Sequence, residues 1–451
     1  MKVLAFLLLF PAWAASTLCA APFADPASQN WPQWRGPDAS GSASDANPPI
    51  EWNDSRNIKW KVEVPGAGSS TPIVWNERIY LMTAVKTDRV QEAAKQDAPP
   101  PQENEQRGRR SFGGGTAPTN YYQFMVLAFD RATGAEVWRK TVTEEVPHEA
   151  GHNTNSFASA SPATDGERIY AYFGSRGLFC LDMDGNVLWS RDFGAMRTVA
   201  SFGEGSSPAV HQGMLVVPWD HEGDSFIVAL DAKSGEEKWK VARDEGTTWS
   251  TPLITEFANQ TQVITNGKNR VRSYDLRNGE LIWECGGQAS NPIPSPVRFQ
   301  DNVICMTGFR GYAIYSIPLD SRGDITDSDQ ITWKADDAAP YVPSPVLYAG
   351  QLYYTKANNG VLVSRSAKTG EVLIEETRLP GVSSVYASPV AAAGRIYLTA
   401  RDGTTLVFKH GNEFELLATN KLTEGIDASP VPIGNELLLR GDKHLYCVAT
   451  P

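Results

Sequence analysis

The chain has 451 residues, with 41 Lys or Arg against 52 Asp or Glu and a formal charge of −11. That balance argues against nucleic acid as a general partner, since a polyanion must be met by clustered cations, and it favours solubility. After the first twenty residues no stretch is long and apolar enough to span a bilayer, so no transmembrane segment is expected in the mature chain.

In chain order, Lys2 is followed by the apolar run Val3 to Phe10 and by small residues ending in Leu18-Cys19-Ala20. This is the pattern of a secretory signal over residues 1–20, and it predicts export to the periplasm or cell envelope. A lipid anchor on Cys19 needs a small residue before it, and Leu18 stands there, so the mature protein is read as soluble. Cys180, Cys285, Cys305 and Cys447 remain, none in CxxC spacing. Buried thiols are expected, with a Cys285–Cys305 bridge left open. Residues 21–56 hold Trp31, Trp34 and Trp52 among several Pro and Gly, and are expected to lie extended over the body as a packing strap.

From there the chain repeats. Thr71-Pro72, Ser161-Pro162, Ser207-Pro208, Thr251-Pro252, Ser295-Pro296, Ser344-Pro345, Ser388-Pro389 and Ser429-Pro430 each open a short apolar run. After a first interval of 90 residues the starts fall 46, 44, 44, 49, 44 and 41 apart, the length of one four-stranded sheet with its turns. The second unit is clearest: SPATD, ERIYAYFG, GLFCLDMDG and NVLWSRD read as four strands joined by tight turns. In the turns FDRATGAEVW, LDMDGNVLW, LDAKSGEEKW and YDLRNGELIW, Trp138, Trp189, Trp239 and Trp283 each follow a glycine by four residues. Their expected role is packing between neighbouring sheets. Later units drift: Ile374 replaces a tryptophan, and an excursion from Asp320 to Gln330 precedes Trp333.

The last unit supplies three strands, DASPVPI, NELLLRG and HLYCVAT, and residues 57–64, NIKWKVEV, read as an orphan fourth. The prediction is an all-β, eight-bladed β-propeller of four-stranded antiparallel blades over residues 57–451. An N-terminal strand closes the last blade and removes the open edges. The surplus in the first interval, residues 87–121, is rich in Pro, Gln, Glu and Gly and reads as a tolerated flexible insertion.

On these residues the chain resembles the PQQ-like (pyrroloquinoline-quinone-like) repeat family of eight-bladed propellers. Its opening NWPQWRGP, residues 30–37, also resembles the leader of a group of exported bacterial proteins with this repeat. The resemblance implies two different activities. One is a quinoprotein dehydrogenase of alcohols or sugars, with PQQ and calcium on the axis. Alcohol-oxidising members carry an adjacent Cys-Cys pair over the cofactor, and this chain has none, nor a CxxCH for haem. The other is a non-enzymatic scaffold similar to the outer-membrane assembly factor lipoprotein, although the lipid attachment pattern is missing. The scaffold reading is preferred, with a monomer expected.

Strand order sorts candidate site residues without coordinates. The turns between second and third strands share one face with the segments that precede each Ser-Pro or Thr-Pro start, and loops of this kind carry function. That face collects Arg176, Lys268, Arg270, Arg310, Lys356, Arg401, Arg440 and Lys443, a ring of cations suited to a protein, an anionic polymer or an anionic small molecule near the axis. The third unit departs with Asp220-His221-Glu222, where Asp220 or Glu222 is a candidate base or calcium ligand. Trp249, Tyr341 and Tyr386 are candidate lining for an axial funnel.

His148-Glu149-Ala150-Gly151-His152 spells HExxH, whose chemistry requires a helix that turns both imidazoles to one metal. Pro147 and Gly151 oppose that helix. His148, His152 and His221 remain weak candidates for a non-catalytic metal site, and no catalytic residue is assigned.

Overall fold

The structure, a computed structural model, describes residues 30–91 and 115–450. Residues 1–20, where a signal is expected, and residues 92–114 of the 87–121 segment lie outside the described residues. The chain forms eight antiparallel sheets of four strands, arranged as the blades of a propeller. Blade 1 comprises Ile73–Trp75, Arg78–Val90, Asn120–Asp130 and Glu136–Glu145, and blade 2 comprises Ala163–Thr164, Arg168–Tyr172, Leu178–Asp182 and Val187–Arg191. In blade 1 the pairing runs out to Val90↔Asn120, so residues 87–90 and 120–121 of the 87–121 segment are strand.

Blade 8 closes the ring. Its own strands are Val431–Ile433, Glu436–Arg440 and His444–Ala449, and its fourth is Ile58–Glu63, antiparallel to His444–Ala449. This is the borrowed strand expected from NIKWKVEV. Burial explains its register: Trp60 is the inward residue of the strand, and shifting the pairing by one position would turn it to solvent.

Two side-chain devices repeat around the ring. In the first, the backbone N–H of each Ser or Thr before proline donates to the hydroxyl of its equivalent in the next blade, at 2.9 to 3.2 Å. The eight bonds form a closed circuit. Proline fixes the following φ and cannot donate, which leaves the preceding N–H as the group to be satisfied. In the second, the indole from the fourth strand of one blade lies against the turn glycine of the next. Trp60 meets Gly134, Trp138 meets Gly185, Trp189 meets Gly235 and Trp239 meets Gly279. The Trp60 and Trp239 N–H groups also donate to Arg131 O at 2.9 Å and Leu276 O at 2.7 Å. The interblade role read for these tryptophans is what the structure contains. Trp333 continues the series on Gly370 despite the preceding excursion. Part of that excursion, Gly323–Asp324, adds a short parallel strand to blade 4.

The core is correspondingly a set of interblade layers. One joins Tyr80, Met82, Phe124 and Val126 of blade 1 to Ile169, Ala171, Phe179 and Leu181 of blade 2. Cys180, Cys285, Cys305 and Cys447 are all buried and free.

The N-terminal segment does more than strap the surface. Trp31 bridges to Val74 on the innermost strand of blade 1, and Thr164 N of blade 2 donates to Pro32 O at 2.8 Å. On the far side Leu347 N of blade 6 donates to Ser40 O at 3.1 Å, and Ser42–Ala43 pairs in parallel with the innermost strand of blade 7. Asn47 N then bonds Gly434 O of blade 8 at 2.6 Å. Residues 31–47 thus run along the innermost strands of blades 1, 2, 6, 7 and 8, on the axial side of the ring. At the innermost point Arg35 sends Nη1 to Pro389 O and Nη2 to Pro345 O, both at 2.8 Å. Those are the prolines of two strand starts. Burial without a carboxylate partner pulls the Arg35 pKa down to about 9, so carbonyl dipoles alone hold its charge at neutral pH.

Candidate functional site

At the end of the channel where the strands start, the residues just before the Ser/Thr circuit form the rim of the axial mouth. Trp249, Tyr341 and Tyr386 stand two or three positions before Thr251, Ser344 and Ser388 and are half-buried. Trp249 Nε1 donates to Gly203 O at 2.7 Å, and its N–H to Pro292 O at 3.0 Å. Asn291 Nδ2 donates to Tyr341 Oη at 3.4 Å, while Phe309 stacks on Tyr341 at 4.6 Å. Thr154 Oγ1 donates to Tyr386 Oη at 3.3 Å, carrying the loop before blade 2 across to the entry of blade 7. The three aromatic candidates are thus each tied to the scaffold by their own local contacts.

The cations separate into three groups. Arg176 pairs with Glu145 at 2.8 Å, Arg270 with Asp324 at 2.8 Å, Lys356 with Glu376 at 2.6 Å, and Arg401 with Asp427 through two bonds of 2.7 and 2.9 Å while lying over the Tyr386 ring. Arg440 leaves the rim altogether: it is buried, and Nη1 donates to Met82 O at 2.7 Å and Ser70 Oγ at 2.6 Å. Among the described residues Lys268, Arg310 and Lys443 are exposed and form no ion pair. The ring read from the sequence is thus largely neutralised by acidic neighbours that strand order alone did not bring into view.

Asp220 and Glu222 take structural bonds. Asp220 meets Arg243 through bonds of 2.8 and 3.0 Å in a buried pair and also accepts from Thr248 Oγ1 at 2.9 Å. Glu222 Oε1 accepts from Thr247 N and Oγ1 at 3.0 and 2.9 Å. Burial alone would raise the Glu222 pKa, but these bonds, with Lys268 and Arg197 nearby, bring it below the ordinary value.

The HExxH residues lie in loop. His148 Nδ1 accepts from Arg176 Nη2 at 2.7 Å, and Nε2 donates to Met196 O at 2.5 Å. A guanidinium only donates and a carbonyl only accepts, so this geometry selects a neutral imidazole protonated at Nε2. His152 Nδ1 bonds Thr154 Oγ1 at 2.8 Å, and His221 Nδ1 accepts from Arg197 N at 3.1 Å. Glu149 Oε1 accepts from Thr198 Oγ1 at 2.5 Å. Among the described residues no three His, Cys, Asp or Glu side chains gather as metal ligands.

What the structure adds is a cleft beside the mouth, between blades 1, 2 and 3, enclosing about 50 Å³. That volume admits a few water molecules or one small polar group. His148, Arg176, Tyr172, Asp220 and Glu204 line it. Glu204 was not among the sequence candidates. It precedes the Ser207 start, and its oxygens accept from Ser175 N at 2.8 Å and from Ser175 Oγ. Loss of hydration raises its pKa, opposed by Ser175 and by nearby Arg176. Its place before a strand start was the one available signal.

The fold and rim define a PQQ-like eight-bladed propeller whose axial side carries residues 31–47 and whose strand-start end carries a polar, aromatic mouth. More specifically, the chain belongs to the family described as outer membrane protein assembly factor BamB, whose model matches residues 123–376, more than half of its length. No curated protein matches the sequence. Among solved structures, quinohemoprotein alcohol dehydrogenase from Comamonas testosteroni is similar with a TM-score of 0.63 at 11% identity, over 94% of this chain and 81% of that one. The quinohemoprotein alcohol dehydrogenase ADHIIG from Pseudomonas putida HK5 gives 0.58 at 11%, over 93% and 80%. BamB from Moraxella catarrhalis gives 0.50 at 14%, over 81% and 97%. At such identities the likeness concerns the fold.

Proposed function

We propose that this protein is an exported, non-enzymatic propeller scaffold that presents the face around its axial mouth to a protein partner with an acidic surface. The observation that carries the reading is the engagement of the rim's candidate acids and bases. Asp220 is held by Arg243, Glu222 by Thr247, Glu149 by Thr198, and His148 by Arg176 and Met196. Each of these groups spends hydrogen-bonding capacity on the scaffold rather than on a substrate. The family's description as an assembly factor supports a protein partner. Lys268, Arg310 and Lys443 supply exposed charge for a salt-sensitive contact, and an anionic polymer would be held by the same cations.

Two measurements test this reading. Mixed with PQQ and calcium, the protein is expected to show no dye reduction with alcohols or sugars, and turnover would overturn the scaffold assignment. Polyglutamate, standing in for the acidic surface, is expected to bind at low ionic strength and to lose about tenfold in affinity in the double variant Lys268→Glu, Arg310→Glu. Unchanged binding by that variant would remove the face from consideration.

A further inference from the structure

One polar atom in the cleft between blades 1, 2 and 3 has no place in the hydrogen-bonding of the fold. Tyr172 ends the second strand of blade 2, is 2% exposed and lines the cleft, yet its hydroxyl is buried without a partner. Other buried tyrosines of the same strands are bonded: Tyr170 Oη donates to Asp165 at 2.7 Å and Tyr353 Oη to Gly411 O at 3.1 Å. A buried hydroxyl left unmade costs about 1–3 kcal/mol, and phenylalanine would fill the same space without that cost.

The acceptor capacity nearby belongs to Glu204. Each of its oxygens takes one bond, both from Ser175, and a carboxylate oxygen accepts two. The other acids of the lining keep less, since Asp220 accepts three bonds from Arg243 and Thr248 and Glu149 three from Thr198. The main unused capacity is therefore one O–H donor and the second acceptor position on each Glu204 oxygen. A carboxylate or fully ionised phosphate ligand brings no proton for Glu204 to accept. An ammonium would satisfy Glu204 but offers no lone pair to the Tyr172 proton. A hydroxyl does both with a single atom, accepting from Tyr172 and donating to Glu204. Phe124, Phe157 and Phe173, also in the lining, give apolar surface against which C–H groups pack.

We propose that this cleft binds a hydroxyl group of a neutral polyol or sugar, held between Tyr172 and Glu204. The site goes beyond the scaffold reading and stands without it, because partner binding through the exposed cations of the mouth does not use Tyr172.

The test is saturation-transfer NMR on the full chain, with glycerol and glucose as probes and methylammonium and methyl phosphate as comparators. Transfer to glycerol or glucose is expected, weakened about tenfold in Tyr172→Phe, the value of one hydrogen bond. That variant is expected to melt no lower than the parent, since it removes an unpaired group, so a loss of binding is not a loss of fold. No transfer from either polyol, equal binding by Tyr172→Phe, or stronger binding of methylammonium or methyl phosphate would each overturn the proposal.

Discussion

The backbone N–H of Ser429 donates to Thr71 Oγ1 at 3.2 Å, joining the last blade to the first across 358 residues of chain. This bond completes the circuit of eight, so each Ser or Thr hydroxyl accepts from one neighbouring blade while its own N–H donates to the other.

Ser344→Ala removes an acceptor from the circuit and leaves Ser295 N–H without its 2.9 Å bond in a fully buried position. A loss of about 1–3 kcal/mol is expected in urea unfolding. Ser344→Thr keeps the hydroxyl, as Thr71 and Thr251 do naturally, and is expected to retain most of that stability.

Gly134 has φ +73, and a Cβ there would stand 2.6 Å from the Trp60 ring. Gly134→Ala therefore combines backbone strain with a clash at the joint between the borrowed strand and blade 1, costing about 2–4 kcal/mol. Gly381→Ala shares the positive φ, +70, but meets open space, and is expected to lose only about 1 kcal/mol. Deleting residues 57–64 should abolish cooperative melting and promote aggregation through the exposed edge of His444–Ala449. An unchanged melting curve after that deletion would refute closure.

Arg35→Met tests the hold of residues 31–47 on the axial side. It removes the donors that Pro345 O and Pro389 O use, both reached at 2.8 Å inside the channel. A loss of about 1–3 kcal/mol is expected, read as a lower denaturant midpoint. The change also ends the desolvation cost of an unpaired cation, which keeps the expected loss below that of breaking a buried ion pair.

Asp275 predicts part of the acid sensitivity. Bonds from Arg277, together with Gln260, hold its pKa down to about 2 from 3.8. A carboxyl depressed by folding contributes stability above its unfolded pKa, and loses it as pH falls through the folded value. Asp275→Asn is therefore expected to lower stability by about 1 kcal/mol at pH 7, discounted because Arg277 is exposed. The difference from the parent should close between about pH 4 and pH 2 in pH-dependent unfolding.

Much of the fold was legible because it is written in local periodicity. The Ser-Pro and Thr-Pro beat marked the first strand of every blade, and the glycine turns followed by tryptophan marked every third-to-fourth connection that retained them. The borrowed strand was legible from counting, since three strands at the C-terminus required a fourth. The site was legible in composition but not in pairing. Strand order assigns Arg176, Arg270, Lys356 and Arg401 to one face but does not bring in Glu145, Asp324, Glu376 and Asp427, which come from other turns and strands and pair with them.

By itself, then, the sequence determined the repeat, the blade count and the closing strand, because each follows from short-range patterns that a sheet enforces residue by residue. Only the tertiary structure decided that residues 31–47 enter the axis, that Arg35 ends on two proline carbonyls, and that Tyr172 is left without a partner beside Glu204. Those outcomes depend on which backbone and side-chain groups remain unsatisfied after the ring has closed, a balance set by residues hundreds of positions apart that no local pattern records.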